Sequence, residues 1–133
     1  MCGTFGYELD ATKLSKAELA ECKRLSLIFR KYQSLIFSGD YYRLTDPFRY
    51  GNYEAWQFVS KDRSESLLTV VITRLTVNGP QEYVRAKGLD PDALYRIEEL
   101  DITLSGSALM NAGLPVPREV PDYSSFQYYF KKA

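Results

Sequence analysis

Between residues 16 and 38 the apolar side chains recur at steps of three and four. Leu19, Cys22, Leu25, Phe29, Tyr32, Leu35 and Ile36 therefore share one face of a helix. Glu18, Glu21, Lys23, Arg24, Arg30 and Lys31 fall mostly on the other side. Ahead of this run, Ser15 and Glu18 form a Ser-x-x-Glu capping box, in which hydroxyl and carboxylate satisfy each other's otherwise unpaired amides. The pattern predicts a helix over Lys16–Ser38, about six turns long. At Gly39-Asp40 the apolar period changes from that of a helix to that of a strand. Gly39, lacking a Cβ, is expected in the left-handed conformation that often closes a helix. Asp46-Pro47 is expected to end the first extended run, residues 41–45, because proline has no amide proton for a ladder.

Beyond this junction, turn signals recur at Tyr50-Gly51-Asn52, residues 61–65, Asn78-Gly79-Pro80, residues 88–92 and Ser105-Gly106. A spacing of roughly 10 residues is that of an antiparallel sandwich or barrel. The strands expected between them are residues 53–60, 67–77, 82–86, 94–100 and 126–131. Both alternating sets are apolar over the first half of residues 70–77, so that strand is expected to be central and covered on both faces. Asp90-Pro91-Asp92 suits a type I turn. The opening ten residues place Phe5 and Tyr7 in a short stretch that suits a buried strand, yet no partner strand lies nearby in sequence. Such an opening reads as the edge of a larger body.

A chain of 133 residues supports one compact core. Its 17 basic and 17 acidic residues are interspersed, which argues against nucleic acid or an anionic membrane as partner. Lys131-Lys132 reads as a solvated tail. No apolar run approaches the roughly 20 residues that cross a bilayer, and no basic region followed by an apolar stretch marks a secretory signal. Two cysteines, Cys2 and Cys22, are too few for a disulfide scaffold and read as small apolar core residues. A reducing compartment and a cytoplasmic location are expected on these grounds. The sequence has no histidine, which removes Ser-His and Cys-His nucleophile pairs and the commonest metal ligand.

Two features remain as candidate chemistry. Tyrosine supplies 11 residues, with Tyr41, Tyr42, Tyr50, Tyr53, Tyr123, Tyr128 and Tyr129 in the β-part, where they either stack on sugar rings or fill and edge a small core. Glu98, Glu99 and Asp101 form the densest acidic cluster, and paired carboxylates are the machinery of glycosidases. On a strand Glu99 and Asp101 would share a face; as exposed strand-end charges they would do nothing. No catalytic, cofactor-binding or metal-binding residue is assigned on this basis, and no cofactor is expected.

Five segments, FGYELDATKLSKAEL, YYRLTDPF, AWQFVSKDRSESLLTVV, KGLDPDALYRI and SGSALMNAGLPVP, in this order and spacing, resemble the C-terminal portion of glycoside hydrolase family 36, the bacterial-type α-galactosidases. The resemblance implies a fold that is mainly β with one long N-terminal helix, an antiparallel β-sandwich preceded by a short strand and helix left over from a (β/α)8 barrel. Residues 1–38 would be the last strand and helix of that barrel, with Cys2 to Tyr7 as the strand, and residues 39–133 the C-terminal sandwich domain. It further implies a full-length parent that hydrolyses terminal α-galactosides such as raffinose and melibiose with retention, through two aspartates that lie in earlier barrel strands and are not in this chain. The partners implied are the remainder of the catalytic barrel, α-galactoside substrate only through the full-length enzyme, and copies of the same enzyme in an oligomer. Only residues 8–13 would approach substrate. A carbohydrate-binding module that uses the tyrosines as a platform is the alternative. Without barrel strands, Leu19, Cys22, Leu25 and Phe29 would be left to pair with another copy or to fold back on the β-domain.

Overall fold

Residues 3–46, 51–74 and 78–133 are described in the computed structural model. The helix runs over Lys16–Ser38 (α1), as its periodicity requires. Ser15 caps it: the Ser15 N–H donates to Glu18 Oε2 at 2.8 Å, and the Glu18 N–H donates to Ser15 Oγ at 3.3 Å.

Among the described residues eight strands follow: β1 (Asp40–Arg43), β2 (Tyr53–Val59), β3 (Glu65–Ile72), β4 (Tyr83–Val84), β5 (Leu94–Ile97), β6 (Ile102–Ser105), β7 (Leu114–Pro115) and β8 (Ser125–Lys132). Six of them form one sheet in the order β1-β2-β3-β8-β5-β6, antiparallel throughout, while β4 and β7 pair as a separate two-stranded ribbon. A short helix, α2 (Gly106–Asn111), lies between β6 and β7.

The alternation along the strands decides which side chain meets which layer. One face of the sheet carries Ala55, Val59, Leu68, Val70, Ile72, Tyr95, Ile97, Tyr128 and Phe130, and it packs with Val84, Leu89, Leu109, Leu114 and Val116 from the ribbon, α2 and loops. The opposite face carries Phe58 and Leu67, which meet Phe29, Tyr32, Leu35 and Ile36 of α1. The chain is thus mainly antiparallel sheet with one long helix. Its second β-layer is a ribbon completed by α2 and loops, thinner than the full second sheet of a sandwich. β3 is central and covered on both faces, which its doubly apolar sequence requires.

Several local expectations are corrected. No strand forms over the described residues 3–7; a strand needs a neighbour's amides, and none is offered, so Phe5 stacks on Phe29 instead with ring centroids 5.1 Å apart. Gly39 is extended, φ −75°, and not left-handed. Its lack of a Cβ matters for closeness: a Cβ there would lie 2.5 Å from the Leu35 carbonyl oxygen and 2.9 Å from that of Val59. The strand expected over residues 94–100 stops at Ile97, where Glu98–Leu100 turns as a 3-10 helix ending on a left-handed Asp101, φ 53°. Ser105-Gly106 is not a turn; Ser105 Oγ accepts from the Ala108 N–H at 3.1 Å and caps α2. Lys131 and Lys132 are no tail, since both belong to β8 and Lys132 Nζ meets Asp90 Oδ2 at 2.9 Å. Asp90 to Ala93 closes a turn as expected, with the Ala93 N–H on the Asp90 carbonyl at 3.3 Å. Cys2, Pro47, Tyr50 and residues 75–77, on which parts of the reading rest, lie outside the described residues.

Of the apolar stripe on α1, the C-terminal half folds back on the sheet and the N-terminal half does not. Phe29 is buried, Cys22 and Leu25 are half-buried, and Leu19 is 42% exposed. The opening segment lies along this half, where the Tyr7 hydroxyl donates to the Cys22 carbonyl at 3.4 Å.

Candidate functional site

The acidic cluster is dispersed by the 3-10 turn that carries it. Glu98 Oε2 takes Lys31 Nζ of α1 at 3.0 Å, Glu99 Oε2 accepts the Tyr129 N–H at 2.7 Å, and Asp101 pairs with Arg96. Each carboxylate anchors a different element. Glu99 and Asp101, expected to share a strand face, do not lie on a strand. The cluster therefore ties α1, β5 and β8 together and presents no paired acid and base.

The tyrosines divide between layers. Tyr32, Tyr95 and Tyr128 are buried, and Tyr95 is fastened at its hydroxyl, which donates to the Arg63 carbonyl at 2.7 Å and accepts the Asp90 N–H at 3.0 Å. Tyr129 packs on Tyr32 with centroids 5.1 Å apart, and the Lys31 ammonium stands over both rings. The exposed tyrosines among the described residues, Tyr7, Tyr41, Tyr83 and Tyr123, sit ahead of α1, on β1, on β4 and in the loop before β8. They belong to separate elements and line no common face.

Residues 8–13 are exposed and contain the 3-10 turn Ala11–Lys13, whose cap is Asp10 Oδ1 accepting from the Thr12 N–H at 3.0 Å. Hydrogen bonds from Thr12 hold the Asp10 carboxyl below its ordinary range. Among the described residues no three metal-ligating side chains come together, and no helix is long and apolar enough to cross a membrane.

Two groups set an expected pH response. Asp62, in the β2–β3 hairpin, accepts from Ser60 Oγ at 2.7 Å, from the Ser64 N–H at 3.0 Å and from Ser64 Oγ at 2.7 Å, and these bonds lower its carboxyl to about 2. Because the folded value lies below the unfolded one of about 3.9, the contribution is present above pH 4 and is lost as pH falls toward 2. Tyr129 is raised, first by burial and then by its hydrogen bond to the Glu65 carboxylate. Its contribution is intact below pH ~10 and lost as pH climbs past that value. Denaturation midpoints measured across pH should fall at both extremes, with Asp62→Asn flattening the acid limb and Tyr129→Phe the alkaline one. Identical limbs in the parent and these variants would count against both assignments.

One recess among the described residues was missed in reading the sequence. On the α1 side of the sheet, Trp56, Thr69, Val71, Ser125 and Gln127 form a floor, and Arg24, Leu25, Ile28, Lys31 and Tyr32 form a wall; the groove between them holds about 500 Å³. Two atoms at this groove, Trp56 Nε1 and Thr69 Oγ1, are buried and make no hydrogen bond among the described residues. The only advance signal is the polar side chains at positions 69, 125 and 127, set among apolar residues of the central strands.

Residues 53–130 match the family model for the glycosyl hydrolase family 36 C-terminal domain. The bifunctional α-galactosidase/sucrose kinase AgaSK of Mediterraneibacter gnavus is 40% identical over 130 residues, which cover 98% of this chain and 14% of that protein. The α-galactosidase AgaA of Geobacillus stearothermophilus is 40% identical over 131 residues, 98% of this chain and 18% of that protein. In solved structures, the galactosidase domain of AgaSK superposes with a TM-score of 0.90 and AgaA with 0.89, each over 97% of this chain and 18% of the longer one. The chain spans less than a fifth of the length of these relatives. On the family match and these superpositions, the chain belongs to glycosyl hydrolase family 36 and corresponds to its C-terminal portion.

Proposed function

We propose that this chain is the C-terminal structural domain of an α-galactosidase that removes terminal α-linked galactose with retention of configuration. The observation that carries the reading is a 40% identity to AgaA sustained over 98% of the chain, together with a TM-score of 0.89. In this reading the two catalytic aspartates belong to a barrel that precedes these residues, and the chain's own contribution is to hold and complete that barrel. Retaining hydrolysis needs two carboxyls about 5 Å apart across the scissile bond. Glu98, Glu99 and Asp101 are each engaged elsewhere and are not offered for it.

The division at residue 38 belongs to the same proposal, with α1 as the last barrel helix and residues 39–133 as the appended β-domain. Support comes from the N-terminal half of α1, where Leu19 stands 42% exposed on the stripe that would rest on barrel strands. Assembly of the enzyme into oligomers and a cytoplasmic location complete the reading; the free thiol of Cys22 suits a reducing compartment.

Two measurements test it. The chain alone should leave a chromogenic α-galactoside unhydrolysed at any pH, and saturable turnover that survives repeated purification would overturn the proposal. Substituted for the matching segment of AgaA, the chain should support turnover of that substrate. An inactive chimera would refute its place in such an enzyme.

A further inference from the structure

We propose that the groove between the N-terminal half of α1 and the sheet receives a stretch of polypeptide from the catalytic part, a proposal that rests on the α-galactosidase reading. The strand registers lay out its floor in rows. Phe58, Leu67 and Tyr129 form the row that α1 covers. The next row is Trp56, Thr69 and Gln127, and the one beyond is Glu54, Val71 and Ser125. Over these two rows the helix stands away, and Leu25 and Ile28 face the gap.

The floor is unfinished in a way the other face is not. On the ribbon side the buried Gln57 is satisfied at both ends, its Nε2 donating to Ser66 Oγ at 2.8 Å and its Oε1 accepting the Lys87 N–H at 2.8 Å. On the groove side Thr69 is only 3% exposed, yet its hydroxyl has no partner among the described residues, and neither has the Trp56 indole N–H. Native chains rarely bury a donor unmatched. β3 is a central strand, so solvent at a sheet edge cannot relieve it.

The chemistry of the walls selects the occupant. The groove's two cations are already engaged: Arg24 is bidentate with Glu21 at 2.6 and 2.8 Å, and Lys31 is held by Glu98 at 3.0 Å. No free charge remains to attract an anionic ligand. What the site offers is a donor at Trp56, a donor and acceptor at each of Thr69, Ser125 and Gln127, the Glu99 carboxylate, and apolar flanks at Leu25, Ile28 and Val71. A main chain with small apolar side chains matches that set, its carbonyls meeting the indole and the hydroxyl. In the solved relatives this fold occupies 18% of the chain, so a large polypeptide body accompanies it there.

Thr69→Val, which deletes one polar atom and keeps the shape, separates the outcomes. In the chain alone the melting midpoint should stay or rise, because no bond is lost. In the chimera with AgaA the same change should lower the midpoint at which this domain melts, because the bond is now made. Ser125→Trp, which fills the groove, should leave the chain alone unchanged and lower the midpoint of the chimera further. If the parent chimera turns over substrate but its variants follow the chain alone, the groove proposal falls and the enzyme reading stands. If the parent chimera is inactive, the enzyme reading falls and takes the proposed occupant with it. A saturable shift of the Trp56 indole N–H in the chain alone on adding millimolar raffinose would also overturn the proposal, in favour of a saccharide site.

Discussion

Phe130→Ala should lower the stability of the chain by about 3–5 kcal/mol, the cost of deleting a phenyl ring from a packed core. Phe130 is 0% exposed at the middle of the ribbon-side core, opposite Ser66 on one neighbouring strand and Ile97 on the other. Its ring therefore bridges the β2–β3 hairpin and the β5–β6 hairpin. Domains of this size are stable by about 5–15 kcal/mol, so the loss is a large fraction of the total. Urea denaturation followed by far-ultraviolet circular dichroism checks it. A midpoint shift equivalent to less than about 1 kcal/mol would mean that the two hairpins are held by something other than this core.

Gly106→Ala should be nearly as damaging, although it adds a single methyl group. The added Cβ would lie 2.0 Å from the Asp90 carbonyl oxygen and 3.2 Å from the Tyr95 ring, and backbone cannot move aside as a flexible side chain can. Gly106 is buried, and its own N–H donates to the Ala93 carbonyl at 2.9 Å. Displacing Asp90 breaks more than one bond, since the Asp90 N–H donates to the Tyr95 hydroxyl, which in turn holds the Arg63 carbonyl. Overpacking costs about 1–3 kcal/mol, and each lost buried hydrogen bond about 1 kcal/mol. A loss of about 3 kcal/mol is expected by the same denaturation measurement. Tyr95→Phe serves as the control, removing the hydroxyl without the clash, and should cost less. If Gly106→Ala and the parent denature together, the close approach at residue 90 is not a constraint on the fold.

The parts of the fold legible beforehand were those whose cause is local. The α1 boundaries follow from a capping box and a change of apolar period, and the central place of β3 follows from apolar residues on both alternating sets. What escaped depends on contacts distant in sequence. Gly39 invites a left-handed reading by residue type, but its role is set by the Val59 carbonyl, 20 positions away. α2 has six residues, too few for a period to declare itself, and its Ser105 cap reads equally well as a turn. The 3-10 turn at Glu98–Leu100 replaces a strand because β8 pairs only with residues 95–97 of β5. The groove was invisible for a similar reason. Trp56, Thr69 and Gln127 become neighbours only through strand register, and an amphipathic helix does not announce which of its turns will stand clear of the sheet. The family resemblance rests on motifs distributed along the whole chain, which is why it was readable where the site was not.

The position of β8 has a consequence for how the chain is made. The β1-β2-β3 and β5-β6 halves share no ladder, and within the sheet they are joined through β8, which lies between β3 and β5. During synthesis the two halves emerge well before the strand that joins them, and until then β3 and β5 present bare edges. Such edges are templates for mispairing with other nascent chains. Closing the sheet requires residues 65–71 to find residues 125–131, a long-range pairing that cannot form until residue 131 has left the ribosome. A ribosome that stalls before residue 125 therefore releases a meander and a hairpin that no ladder joins, and an intact sheet certifies that translation reached β8.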